Sequence, residues 1–285
     1  MNVIKTAFLL TALTMLLVVG GQALAGRQGM TIALVMALAM NGMAYFFSDK
    51  VALMSSGARP VTREQAPRLY ASVERLAARG NLPMPKVYII PQAAPNAFAT
   101  GRNPRHAAVA ATEGLLQVMN DDELDGVVAH ELGHVRNYDI LTASVAATLA
   151  GAITWMAYMA QWAMIFGGGR SRDDDRGGGG AFTALAMLIL APIAAMIVQL
   201  AISRQREYAA DASAARLVGH PYGLVSALEK LGSYNKRIPM DVPPATSSLF
   251  IVAPLSAGQA FSRLFSTHPP LEKRIAALRQ MVVSQ

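Results

Sequence analysis

Four stretches of this chain, residues 6–26, 28–48, 140–169 and 177–203, carry no charged side chain. A bilayer-spanning helix needs about 20 mostly apolar residues, and every stretch is long enough. Buried helices of soluble proteins are usually shorter and keep a polar face. The expected fold is therefore membrane α-helical, with four transmembrane helices at about 6–26, 28–48, 140–166 and 181–203. The low charge agrees: 15% of the residues are charged, against about 25% in soluble chains. Lys5, an apolar core and "ALAG" at 23–26 also outline a secretory signal. The second run follows after Arg27 alone, which favours a retained helical hairpin.

Between the runs lie two polar segments, 49–139 and 204–285, so the chain divides into 1–48, 49–139, 140–203 and 204–285. Net charge is +7. On a soluble protein that would suggest nucleic acid; here the lysines and arginines concentrate in the two polar segments, the pattern of cytoplasmic loops. Nucleic acid is accordingly not expected as a partner. The turn at Arg27 and the balanced "RSRDDDR" turn sit on the far side. An even number of spans puts both termini in the cytoplasm, and Lys5 agrees. There is no cysteine, so a bound metal has to use His, Asp or Glu.

The polar segments read as α+β. Thr62 is an expected N-cap for a helix carrying Leu69, Val73 and Leu76. "KVYII" (86–90) reads as a strand. "NAFATG" (96–101) and "HAAVAAT" (106–112) flank the "RNP" turn and read as a hairpin. "EGLLQVM" is a short helix, and Asn120 caps the next one. Residues 240–260 read as a loop, with mobility as an open question, and 167–180 as a glycine-rich loop. His106 reads as a surface residue at the start of a strand and His220 as a turn residue, neither with a role.

The Asn120 helix contains "HELGH" at 130–134. On a helix, positions i and i+4 face the same way, so His130 and His134 can hold one ion. Glu131 then stands beside the open coordination position, where it can take a proton from an attacking water. A third ligand is needed, and "VRNYDILTAS" after the motif offers no histidine. Glu207 in "RQREYAADASA" is the candidate, with Asp211 one turn on to orient a ligand imidazole. Imidazole plus carboxylate suits Zn2+, although manganese or iron could take the same donors.

HELGH just before one apolar run, Glu-x-x-x-Asp just after another, "NAFATG" and "STHPPLEKR" together resemble the HtpX family of membrane zinc metalloproteases, relatives of the Ste24-type CAAX prenyl endopeptidases. The resemblance covers nearly the whole chain. It implies a cytoplasmic zincin-like α+β protease domain in the cell inner membrane. His130, His134 and Glu207 would bind zinc, Glu131 would be the base, and His268 and Arg274 would sit near the reacting carbonyl. It further implies that Asn96 touches substrate, that unfolded or membrane polypeptides are cleaved, and that an ATP-dependent membrane protease works alongside.

A donor beside the metal would stabilise the oxyanion of peptide hydrolysis, a part His268 or Arg274 can play. Substrate can add as a strand to a sheet edge. The "HAAVAAT" strand is the expected edge, making Asn96, Ala97, Ala108 and Val109 the candidate substrate-binding residues. The rival reading is a membrane metal-binding or transport protein without hydrolase activity. Transport ligands belong near the bilayer midplane, whereas these lie at the ends of the apolar runs. A prenyl protease of the Ste24 branch would call for seven spans rather than four.

Overall fold

The computed structural model describes residues 2–150, 204–235, 237–240, 242–252 and 269–281. The first two apolar runs form one helical course, α1 (Asn2–Ser55). It is not straight. Asn41 Nδ2 donates to Leu10 O at 3.2 Å and to Thr14 Oγ1 at 2.8 Å, whereas a straight helix would hold these residues roughly 40 Å or more apart. Reversal occurs at Gly26, where φ is +60°, a conformation that glycine adopts without a Cβ penalty. Ile32, Val35, Leu38 and Phe46 point outward and are exposed.

Among the described residues, Gly26–Ser55 is long and apolar enough to cross a membrane, by length and composition, with a mean hydropathy of 1.7. Thr6–Val19 and α5 (Asp139–Ala150) are shorter apolar helices. Most of the third run and all of the fourth fall in residues 151–203, outside the described part. The expected spans at 140–166 and 181–203 are therefore not represented as such.

A four-stranded sheet follows: β1 (Arg59–Pro60), β2 (Lys86–Ile90), β3 (Ala97–Gly101) and β4 (Ala107–Thr112), in the order β1-β2-β4-β3. β4 runs parallel to β2 and antiparallel to β3. This corrects one expectation. The "HAAVAAT" strand is interior, with Ala108 paired to Lys86 and Thr100, and Val109 to Val87 and Ala99. Both of its edges are taken, so Ala108 and Val109 cannot offer backbone groups to another chain. The edge is β3.

α2 (Pro67–Arg79) starts later than expected. Its N-cap is Ala66 and Pro67 occupies the first turn, where a missing N–H loses nothing. Thr62 instead belongs to the turn before it, its carbonyl accepting from Ala66 N at 3.2 Å. α3 (Glu113–Val118) leads to α4 (Asp121–Arg136). Asn120 caps α4 with a reciprocal box: its Oδ1 accepts from Glu123 N, and its own N–H donates to Glu123 Oε2, both at 2.9 Å. Glu123 is buried and also takes Lys230 Nζ at 2.7 Å, which ties α4 to α7 (Tyr222–Asn235). The burial around it pushes its carboxyl up, but the bonds to Lys230, Ser226 and Asn120 outweigh that and hold it below the ordinary range.

α4 is the central helix. Leu124, Val127, Val128 and Leu132 on it are buried with Leu69, Val73 and Leu76 of α2 and Leu224, Leu228 and Leu231 of α7. Burying each such side chain stabilises the fold by about 1.5–3 kcal/mol. α6 (Arg204–Val218) packs across α4, followed by α8 (Pro244–Ser247) and α9 (Leu271–Arg279). α4 thus stands between the sheet and α6, and that places the HELGH residues at a three-way junction.

Candidate active site

Gly133, inside HELGH, lies directly against α6. A Cβ there would lie 3.3 Å from Ala210 Cα, so only a small residue permits the approach. The approach puts Glu207 of α6 opposite the two histidines. His130 Nε2 and His134 Nε2 are 3.2 Å apart; Glu207 Oε2 is 3.8 Å from the first and Oε1 3.5 Å from the second. One ligand atom from each residue lies within 4.8 Å of the others. A tetrahedral ion at about 2.0–2.1 Å from its ligands has ligand–ligand edges of roughly 3.3–3.4 Å. The observed separations bracket that length, so the donor set fits a metal ion.

Each histidine has its own carboxylate on the other ring nitrogen. His130 Nδ1 lies 2.9 Å from Asp211 Oδ1, and His134 Nδ1 lies 3.1 Å from Asp139 Oδ2. These contacts turn both Nε2 atoms toward the shared space. Asp139 was not anticipated from the sequence. It reaches His134 because the chain turns back after α4 through Asn137 and Tyr138, the latter at φ +59°. That left-handed conformation is uncommon for a bulky aromatic. Asp139 Oδ1 in turn lies 3.3 Å from Arg206 Nη1.

Arg274 corrects a second expectation. It is fully buried and absent from the cavity wall. Its Nε and Nη2 donate to Asp211 at 2.9 and 2.7 Å, and its Nη1 donates to Ile251 O at 3.0 Å and lies 3.6 Å from Glu207 Oε2. With its donors taken there, the guanidinium braces the donor cluster from behind and is not free to face a reacting carbonyl. His268 lies outside the described residues.

The charges follow the contacts. Burial pushes His130 down to about 4, against the pull of Asp211. Burial pushes Glu131 up to about 7, with the Glu207 charge adding to it. Burial also acts downward on His134, but the bond to Asp139 and the charges of Glu207 and Glu131 win, and it rises to about 9. Asp211 feels burial upward, yet Arg274 and His130 hold it below the ordinary carboxylate range.

The cavity in front of the cluster is lined by Ala99, His130, Glu131, His134, Ser248 and Leu249, among others. Glu131 Oε1 is buried with no hydrogen-bond partner among the described residues, while the Ala99 N–H supports the carboxylate. An orphaned buried carboxylate oxygen at a cavity wall needs a ligand or water as its partner. Ala99, two residues beyond Ala97 on the same side of the edge strand, was missed; the period of two along "NAFATG" carried the signal.

Asn96 and Ala97 are both near the site but already engaged. Asn96 Nδ2 donates to Val252 O at 2.8 Å, and Ile251 N donates to Ala97 O at 3.0 Å. The segment 248–252 therefore lies along the start of β3 and forms the far wall of the cavity.

A largely buried His–His–Glu donor set on two crossed helices, with a carboxylate beside it whose Oε1 is unpartnered among the described residues, defines a metallohydrolase centre of the H-E-x-x-H kind. Comparisons with known proteins narrow the class. The family described as Peptidase family M48 matches residues 63–282. Similar relatives include a "Protease HtpX homolog" of Desulforapulum autotrophicum, 57% identical over 98% of this chain and 89% of that one. Another, from Syntrophotalea carbinolica, is 54% identical over 99% of this chain and 100% of its own. Among solved structures, the Ste24p crystal structure from S. mikatae superposes with a TM-score of 0.52 at 19% identity, covering 97% of this chain and 64% of that one. The likeness to Ste24p concerns the fold, and this chain spans just under two thirds of its length. The chain belongs to peptidase family M48, beside the HtpX homologues, and is a metalloprotease.

Proposed function

We propose that the protein is a bilayer-anchored zinc endopeptidase in which His130, His134 and Glu207 hold one Zn2+ and Glu131 is the general base. The carrying observation is the orphaned Glu131 Oε1 beside three donors spaced for one tetrahedral ion. Held by His130, His134 and Glu207, the metal would supply Lewis acidity toward water and the scissile carbonyl. Glu131 takes the proton of the attacking water as its oxygen bonds to the carbonyl carbon. Its elevated pKa, about 7, lets it release that proton to the leaving amine as the C–N bond breaks. Asp211 and Asp139 orient the two imidazoles, and Arg274 holds Asp211 and Glu207 in place. His268 remains the candidate oxyanion donor.

A polypeptide substrate would add as a strand to β3, with Ala99 at its centre and Asn96 and Ala97 at its start. That requires the segment 249–252 to yield part of the edge. The exposed apolar face of α1 and the 6–26 and 28–48 runs support anchoring as a hairpin. The third and fourth runs extend this to a multi-pass chain with segments 49–139 and 204–285 in the cytoplasm. The basic residues of those segments support an active site and termini on the inner face of the inner membrane. The motifs' resemblance adds misfolded membrane proteins as substrates and an ATP-dependent membrane protease as a working partner.

The test is zinc content and casein cleavage for detergent-purified wild type and Glu131→Gln. The expected outcome is zinc near one per chain in both, with cleavage reduced about 10²–10⁴-fold in the variant. Full cleavage by Glu131→Gln would remove the base assignment. Zinc in both with cleavage in neither would favour metal handling without hydrolysis.

A further inference from the structure

Away from the metal cluster, a cavity of about 740 Å³ opens between the α1 hairpin and the protease domain. Such a volume is in the range of small-molecule sites. Its two sides differ in chemistry. Leu10, Tyr45 and Leu141, from the two arms of α1 and the start of α5, line one side. Arg102, Arg105 and Arg136 line the other. The first two come from the β3–β4 turn and the third from the end of α4, so two separate segments of the fold bring the arginines together, facing the apolar wall of α1 and α5.

No carboxylate lines this cavity among the described residues. Among the described residues none of the three arginines forms an ion pair, whereas Arg68, Arg75, Arg206, Arg274 and Arg279 all do. Like charges gathered around one space without an acid repel one another unless an anion joins them. Guanidinium groups bind phosphate oxygens in pairs, which makes phosphate the matching anion.

The position selects the kind of phosphate. From Thr6 to Gly26, and again from Gly26 to Tyr45, each arm rises roughly 30 Å, the thickness of a bilayer's hydrocarbon core. Residues 6–10 and 45 are then at the end of the hairpin opposite Gly26, at the level where headgroups begin. Tyr45 and Tyr138 both line the cavity, and tyrosine is enriched at that level.

We infer that this cavity binds an anionic phospholipid, its phosphate between Arg102, Arg105 and Arg136 and its glycerol end against Leu10, Tyr45 and Leu141. The inference rests on the reading of α1 as a membrane hairpin. Charge complementarity and continuity with the exposed apolar face of α1 both point to lipid rather than to a soluble phosphate.

The experiment is native mass spectrometry of the full chain released from detergent, with added phosphatidylglycerol or phosphatidylcholine. Wild type is compared with the triple variant Arg102→Gln, Arg105→Gln, Arg136→Gln and with the corresponding triple lysine variant. Wild type should retain phosphatidylglycerol over phosphatidylcholine by about tenfold or more, the lysine variant should keep part of that preference, and the glutamine variant should lose it. Zinc content and casein cleavage in detergent should persist in both variants, showing that they fold. Equal retention of the two lipids by wild type, or an unchanged preference in the glutamine variant, overturns the inference. So does displacement of the lipid by inorganic phosphate alone, which would make this a soluble-anion site. Carbonate extraction separates the two readings. Release of the wild-type chain overturns the membrane hairpin itself; retention without lipid preference overturns only the lipid site.

Discussion

On the helical wall of the cleft, each metal-facing histidine has a buried carboxylate of its own, and an arginine stands behind each carboxylate. On the wall opposite, Ile251 and Val252 are held to β3 by neutral hydrogen bonds to Ala97 and Asn96. The first wall is a network of charges in a low-dielectric interior. Removing one member leaves another charge buried and unpaired, so the network tolerates little change. Neutral hydrogen bonds contribute only about 0.5–1.5 kcal/mol each, so the second wall can separate from β3 at modest expense. One side of the cleft is built to keep its geometry, and the other is held by weaker, neutral contacts. Arg274 joins them, since its Nη1 reaches the Ile251 carbonyl while its other nitrogens hold Asp211.

The sharpest way to break this contrast is Arg274→Ala. It strands the buried Asp211 carboxylate and should destabilise the protein by about 3–5 kcal/mol in denaturant unfolding. An Arg274→Ala protein of wild-type stability would show that the charged wall is not held as described. Asp139→Asn is milder. It removes the charge facing His134 while preserving shape, and should weaken zinc binding about 10–100-fold in a chelator competition.

Acidity tests the same wall. In the metal-free cluster His134 is pushed up from its ordinary 6.5 to about 9, so it carries a proton at neutral pH that it must lose to ligate a metal ion. Apparent zinc affinity should therefore rise about tenfold per pH unit between pH 7 and 8.5, once the chelator's own protonation is accounted for. Stability of the metal-free protein runs the other way. The stabilisation from charged His134 is complete below about 6.5 and disappears as pH rises through about 9. Thermal unfolding of the chelated protein across that window should show a falling midpoint.

The smallest expected effect lies on the opposite wall. Asn96→Ala removes the side-chain clamp on Val252. If the 249–252 segment competes with substrate for β3, casein cleavage should rise a few-fold in kcat/KM, in keeping with one or two neutral hydrogen bonds lost. A fall instead would make Asn96 a substrate contact in its own right.

Much of the metal wall was legible in the amino-acid order. The i, i+4 spacing of His130 and His134 requires only that a helix form, and Asn120 with Glu123 starts that helix locally. Glu207 and Asp211 could be paired with it because they repeat at helical spacing next to an apolar run. Arg274 was legible as a member of the site but not in its role, because nothing local shows which acid a distant guanidinium will meet. Asp139 was missed because it reaches His134 through a left-handed turn at Tyr138, which no residue pattern announces. The hairpin of β3 and β4 was readable from its turn. Which strand is the edge was not, since that depends on β2 pairing alongside β4.

The sequence by itself determined what is periodic or contiguous: the apolar runs, the helices, the Asn120 cap, and the H-E-x-x-H chemistry. Local backbone geometry converts those patterns directly into faces and lengths. Only the tertiary structure decided what depends on distant segments meeting. It set the order of the sheet, the seat of Arg274 behind the ligands, the laying of 249–252 along β3, and the gathering of Arg102, Arg105 and Arg136 beside the hairpin. Those contacts join residues tens to more than a hundred positions apart, and packing selects them from many pairings that the local pattern leaves equally open.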